Sequence, residues 1–112
     1  EDGLDEISPY TITNITELNN GKINEFILNP KDLDIKVNNF EHIVGKDPAY
    51  NAEKIKEIFK GKDNDFSVAV CLNAAAGLIV AEKLNNFNQA YQELRRHILS
   101  GKVIDYISKL MK

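Results

Sequence analysis

Two carboxylates stand side by side near one end of the chain, within Gly3-Leu4-Asp5-Glu6-Ile7-Ser8. A glycine precedes them and a serine follows, and the stretch has no helical apolar spacing. That setting suits a loop offering hard oxygen ligands to a divalent cation. Mg²⁺ keeps several of its waters and is usually held by one or two carboxylates plus substrate phosphates, so Asp5 and Glu6 suffice as a protein's share. An acidic dipeptide is also an ordinary solvated surface feature, and the residue types alone leave both readings open.

No other cluster competes for chemistry. Cys71 is the single cysteine, which excludes an intrachain disulfide, and it lies in an apolar run where a small buried hydrophobe is expected. His42 falls in an irregular stretch and His97 beside Arg95-Arg96 on an expected helix. Each reads as a packing or surface residue, and the arginine pair as a solvated helix face. Neither a Cys/His nor a Ser/His/Asp arrangement is in view, so no catalytic nucleophile is assigned.

Composition narrows the partners. The 112 residues are 43% hydrophobic with a net charge of -3, and the pI is about 5.4. Length and apolar content suit one globular domain. Scattered basic residues and mild acidity argue against nucleic-acid binding, which needs clustered Lys and Arg. The sequence opens on Glu1-Asp2-Gly3 with no basic leader. The longest uncharged run, Phe66 to Ala81, is shorter than the roughly 20 apolar residues of a spanning helix and reads as a buried one. A cytoplasmic protein is expected.

The elements that must position Asp5 and Glu6 follow from turn chemistry and periodicity. Residues 1–11 read as loop, broken by Gly3, Ser8 and Pro9. Ile12 to Leu18 and Ile23 to Leu28 flank Asn20-Gly21, a type I′ hairpin signal that sets Leu18 opposite Ile23 and Ile15 opposite Phe26. These pairs lie on opposite faces, so cover is expected on both. Pro30 ends the second strand, and 31–46 shows no clean period.

Asp47-Pro48 should open a helix with Ala52, Ile55 and Phe59 on one face and Gly61 as its stop. Asn64 or Asp65 should cap a second helix, from about Phe66 to Leu84, apolar around nearly its whole circumference and therefore buried on most sides. Asn73 within it needs hydrogen-bond partners. A third helix is expected over Asn88–Ser100, with Tyr91, Leu94 and Ile98 inward. A fourth is expected over Lys102–Lys112, with Val103, Ile107 and Leu110 on one stripe.

Taken in order, these features resemble the anthranilate phosphoribosyltransferase family. The resemblance starts with Gly3-Leu4-Asp5-Glu6-Ile7-Ser8, Thr13 and the strand pair around Asn20-Gly21. It continues through Asp32-Leu33, Gly45-Lys46-Asp47 with Asn51-Ala52, Leu72-Asn73-Ala74-Ala75-Ala76 and Ser100-Gly101-Lys102, so it covers nearly the whole chain. Tyr10-Thr11-Ile12 stands where the family often has glycine or proline before its threonine, and Lys46 where it has a second glycine.

The resemblance implies an α/β domain of the nucleoside phosphorylase/phosphoribosyltransferase type, α+β within this stretch: site loop, hairpin, then helices. It implies transfer of phosphoribose from phosphoribosyl pyrophosphate to anthranilate in tryptophan biosynthesis, by a homodimer with a small helical and a larger α/β domain. Asp5 and Glu6 then take the family's role of ligating Mg²⁺. Nothing here matches the family's glycine-rich phosphate loop, its Lys-His motif or its anthranilate-binding arginine. Residues 1–112 are thus expected to form a C-terminal segment that is inactive by itself. A pyrimidine nucleoside phosphorylase-like enzyme, and a non-catalytic relative acting by binding, are the alternatives.

Overall fold

The Asn-Gly turn forms as its residues dictate: Asn20 and Gly21 both take positive φ, 49° and 75°, the geometry of a type I′ turn. The protein is described by a computed structural model that covers residues 3–37 and 39–111. Strands β1 (Thr13–Asn19) and β2 (Lys22–Leu28) pair antiparallel around that turn, with Leu18 opposite Ile23 and Ile15 opposite Phe26. Among the described residues four α-helices follow: α1 (Pro48–Phe59), α2 (Asp65–Val80), α3 (Phe87–Leu99) and α4 (Val103–Leu110). The fold is a small α/β arrangement, a two-stranded hairpin followed by four helices.

Only one face of the hairpin is covered by described residues. Leu28 is buried and Ile15 packs on the core, while on the other face Leu18 and Ile23 are 73% and 70% exposed and Ile27 is also open. The expectation of cover on both faces is therefore corrected. A two-residue turn fixes register from local chemistry, but what lies over a sheet face is decided by distant chain.

The connection over 31–46 is more ordered than its lack of helical period suggests. Two 3₁₀ turns, Pro30–Leu33 and Phe40–Ile43, are each started by an asparagine: Asn29 Oδ1 accepts from Lys31 N, and Asn39 Oδ1 from Glu41 N. Between them Ile35 and Val37 are buried, two residues apart, as an extended segment places them.

Asp47 and Asn64 cap α1 and α2 by accepting from Tyr50 N and Ser67 N. In α1 the buried residue is Ile58, not the Ala52–Ile55–Phe59 face, of which Ile55 is half exposed. Its C-terminal end fixes this orientation. Gly61, at φ 93°, brings its backbone so close to α3 that a Cβ there would lie 2.8 Å from the Leu99 carbonyl oxygen. Gly101, at φ 71°, meets the Lys60 carbonyl oxygen reciprocally, with 3.1 Å to an added Cβ.

Helix α2 stops four residues short of the expected Leu84, because Glu82 takes a left-handed φ of 55° and the Ala81, Glu82 and Lys83 amides close back onto the last turn. Cys71, Leu72 and Ala75 are fully buried against Ala90, Tyr91 and Ile98 of α3. Val70, Ala74, Gly77 and Val80 are exposed, so one side of this nearly all-apolar helix is open. The fourth helix ends at Leu110 and has no fully buried residue; Val103 and Ile107 are half-buried and Leu110 faces outward. No helix among the described residues is long and apolar enough to cross a membrane.

Candidate metal loop and the groove beside it

The loop ahead of β1 is pinned immediately after its two carboxylates. Asp5 and Glu6 are both exposed. Ile7 N donates to Asn73 Oδ1 at 2.8 Å, and Asn73 Nδ2 donates back to the Ile7 carbonyl at 2.9 Å. Ser8 is buried; its amide donates to Thr13 Oγ1 at 3.2 Å, and its Oγ accepts from Tyr10 N and Thr11 N, each at 3.1 Å. Pro9 is fully buried. Asp5 and Glu6 are thus exposed immediately ahead of an anchored stretch.

Beside them runs a groove of about 530 Å³. Leu4, Glu6 and Ile7 form one wall, Phe40, Ile43, Val44 and Gly45 the other, and Ala69, Val70 and Asn73 of α2 the floor. The far wall has its own clamp. Asn51 Oδ1 accepts from Lys46 N at 2.9 Å while its Nδ2 donates to Lys46 O at 3.2 Å. A Cβ on Gly45 would come within 2.9 Å of that Oδ1, so glycine is what lets the Asn51 amide reach the loop. His42 Nδ1 lies 2.8 Å from Asp65 Oδ2, tying the second 3₁₀ turn to the start of α2. Among the described residues lining this groove, Glu6 is the one acidic side chain.

The donor set fits a hard cation that keeps much of its own shell. Two exposed carboxylates present hard oxygen donors, and among the described residues no group of three or more His, Cys, Asp or Glu side chains could enclose a metal ion. A site of this kind is completed by substrate phosphates and water, the coordination habit of Mg²⁺.

Other residues singled out in the sequence play structural parts. Cys71 is fully buried, and burial pushes its thiol above the ordinary range, so it is not an activated nucleophile. His97 is exposed. The arginine pair divides: Arg96 is exposed, whereas Arg95 is tied to Ser67 and Asp63 and is no solvated surface residue. The clamps made by Asn73 and Asn51 were not legible as such. Asn73 stood out by type and Asn51 within the resemblance, yet their partners are main-chain groups, which carry no mark in a sequence.

The model of the glycosyl transferase family, a/b domain, matches residues 1–104. Among curated relatives, the anthranilate phosphoribosyltransferase of Pelagibacter ubique is 56% identical over 110 residues, covering 98% of this chain and 33% of the relative. That of Dictyoglomus thermophilum is 35% identical over 112 residues, with 98% and 33% covered. That of Colwellia psychrerythraea is 36% identical over 111 residues, with 98% and 30% covered. The chain therefore spans about a third of the length of the curated relatives it matches.

Proposed function

The chain belongs to the glycosyl transferase family through its a/b domain, and from that membership we propose that it is the C-terminal third of a Mg²⁺-dependent anthranilate phosphoribosyltransferase. The whole enzyme, cytoplasmic and homodimeric, transfers phosphoribose from phosphoribosyl pyrophosphate to anthranilate in tryptophan biosynthesis. Residues 1–112 supply the C-terminal segment of its α/β domain and are inactive alone. The observation that carries this reading is the identity of 56% to the Pelagibacter protein across 98% of the chain, together with an Asp5-Glu6 loop hydrogen-bonded at Ile7 and Ser8.

Asp5 and Glu6 are the residues that would hold Mg²⁺. Bound there with the diphosphate, the cation would supply charge stabilisation as pyrophosphate departs. The protein's own work is positional. Ile7 and Ser8 fix where the two carboxylates stand, and the wall formed by Phe40, Ile43 and Val44 keeps an apolar boundary beside Glu6. Transfer at a sugar anomeric carbon depends on orientation and charge stabilisation more than on a protein nucleophile, which agrees with the inert, buried Cys71.

Isothermal titration of Mg²⁺ and phosphoribosyl pyrophosphate tests the assignment, comparing the full-length polypeptide with its Asp5→Asn, Glu6→Gln double variant. The expected result is weakened metal-dependent binding and loss of anthranilate consumption in the variant. Equal affinity in the two proteins removes the metal role from Asp5 and Glu6. Turnover of anthranilate by residues 1–112 alone would overturn the assignment of the segment as inactive.

A further inference from the structure

We infer that Asn73 is a positioning residue for the acidic loop, setting the metal affinity of Asp5 and Glu6 without touching the cation; this rests on the metal reading above. The carboxamide of Asn73 does three things at once. Its Oδ1 accepts from Ile7 N at 2.8 Å, and its Nδ2 donates to Ile7 O at 2.9 Å and to Ala69 O at 3.0 Å. The first two bonds reproduce what a neighbouring β-strand would offer Ile7, satisfying both main-chain groups of one residue. The third ties the side chain back to its own helix and so fixes the direction in which the other two point.

The chemistry of the position is narrow. Only a side-chain amide presents a donor and an acceptor from one planar end, and glutamine would carry it one methylene too far. Asparagine is otherwise unwelcome in the middle of a helix as apolar as α2, where an unsatisfied amide costs about 1–3 kcal/mol. All three of its bonds are spent on main-chain groups, and two of them on the residue adjoining Glu6. The next support along the loop is Ser8, held by Thr13. Remove Asn73 and Ile7, the residue adjoining Glu6, loses both of these main-chain bonds. Groups that orient metal ligands from behind typically account for about 10–100-fold in metal affinity.

The test uses the full-length polypeptide and Mn²⁺ as a spectroscopic probe, free Mn²⁺ being counted by electron paramagnetic resonance with and without inorganic pyrophosphate. Asn73→Leu keeps size without hydrogen bonds, and Asn73→Ala keeps helix propensity, so at least one is expected to fold by circular dichroism. Arg95→Lys perturbs the same helix pair at a residue bonded to Ser67 and Asp63 and serves as the control. The expected result is Mn²⁺ binding weakened about 10–100-fold in the Asn73 variants and unchanged in Arg95→Lys. Faster amide hydrogen exchange over residues 3–11 should accompany the loss, and kcat should recover at saturating metal.

Parent-like Mn²⁺ affinity in folded Asn73 variants, while the Asp5→Asn, Glu6→Gln protein loses it, overturns the positioning role and leaves the metal reading standing. An equal loss in Arg95→Lys also overturns it, since the effect is then general loosening. Undiminished binding in the double carboxylate variant overturns both readings together.

Discussion

Arg95 of α3 donates through Nη1 to Ser67 Oγ of α2 at 2.9 Å, and its Nη2 reaches Asp63 Oδ1 at 2.5 Å. Ser67 is fully buried. The same hydroxyl accepts from Asn64 N at 3.1 Å and donates to Asn64 O at 2.7 Å, completing the capping box of α2. One oxygen therefore closes the start of α2 and receives the third helix. The guanidinium is only 15% exposed at its side chain, so this contact is screened less than a surface ion pair.

Ser67→Ala should cost about 1–3 kcal/mol, because it removes a cap and strands the partly buried Arg95 nitrogen. Urea unfolding of Ser67→Ala, Arg95→Met and the double variant checks this, the methionine retaining the apolar stem. The expected coupling is about 0.5–3 kcal/mol; additive effects would mean that the 2.9 Å contact contributes nothing.

Alkaline pH should destabilise the fold through Cys71 and Tyr91. Burial is the main cause raising both groups above their ordinary values. For an acid raised in the folded state, the unfolded chain loses its proton first. The stabilisation is full below the unfolded pKa, about 8.5 for a thiol and about 10 for a phenol, and is lost as pH climbs through the folded values. Chemical denaturation between neutral and alkaline pH should show a decline that Cys71→Ala and Tyr91→Phe each flatten. Thiol reagents should label Cys71 only at the rate of unfolding.

Gly61→Ala should lower stability by more than the roughly 1 kcal/mol usual for a glycine change, since positive φ and the Leu99 carbonyl both oppose a Cβ. Gly101→Ala, with 3.1 Å to the Lys60 carbonyl oxygen, should cost less. Thermal melts give the order, and a milder effect at 61 than at 101 would contradict the close approach described for α1.

Self-association of this chain should run through the open face of the hairpin, where Leu18, Ile23 and Ile27 lie exposed together. Leu18→Thr with Ile23→Thr keeps β propensity and should lower the weight-average mass in sedimentation or light scattering. A monomer before substitution would remove the premise.

Much of the architecture could be read because it is written in local chemistry. Asn20-Gly21 sets the register, Asp47-Pro48 and Asn64 mark helix starts, and Gly61 and Gly101 mark ends. The acidic pair was visible for the same reason, as a short run of residue types. Less visible was anything decided at a distance. Ile58 replaced Ile55 as the inward residue of α1 because the end of the helix, at Gly61, docks on Leu99, 38 positions further along the chain. Ile35 and Val37 are a buried pair two residues apart, too short a pattern to stand out in a stretch that showed no clean period. Whether the outer side of α2 is covered depends on chain that its own residues do not name.

The bond joining Ile7 to Asn73 also has a bearing on the order of assembly. It closes a ring spanning 66 positions, whereas the hairpin zips from a two-residue turn and α2 meets α3 across a short connection. Ring closure grows more costly with the logarithm of its span, so this contact carries a larger closure cost than the hairpin or the α2–α3 pair. The long-range part of that anchorage, between Ile7 and Asn73, thus depends on a helix that forms from its own local contacts.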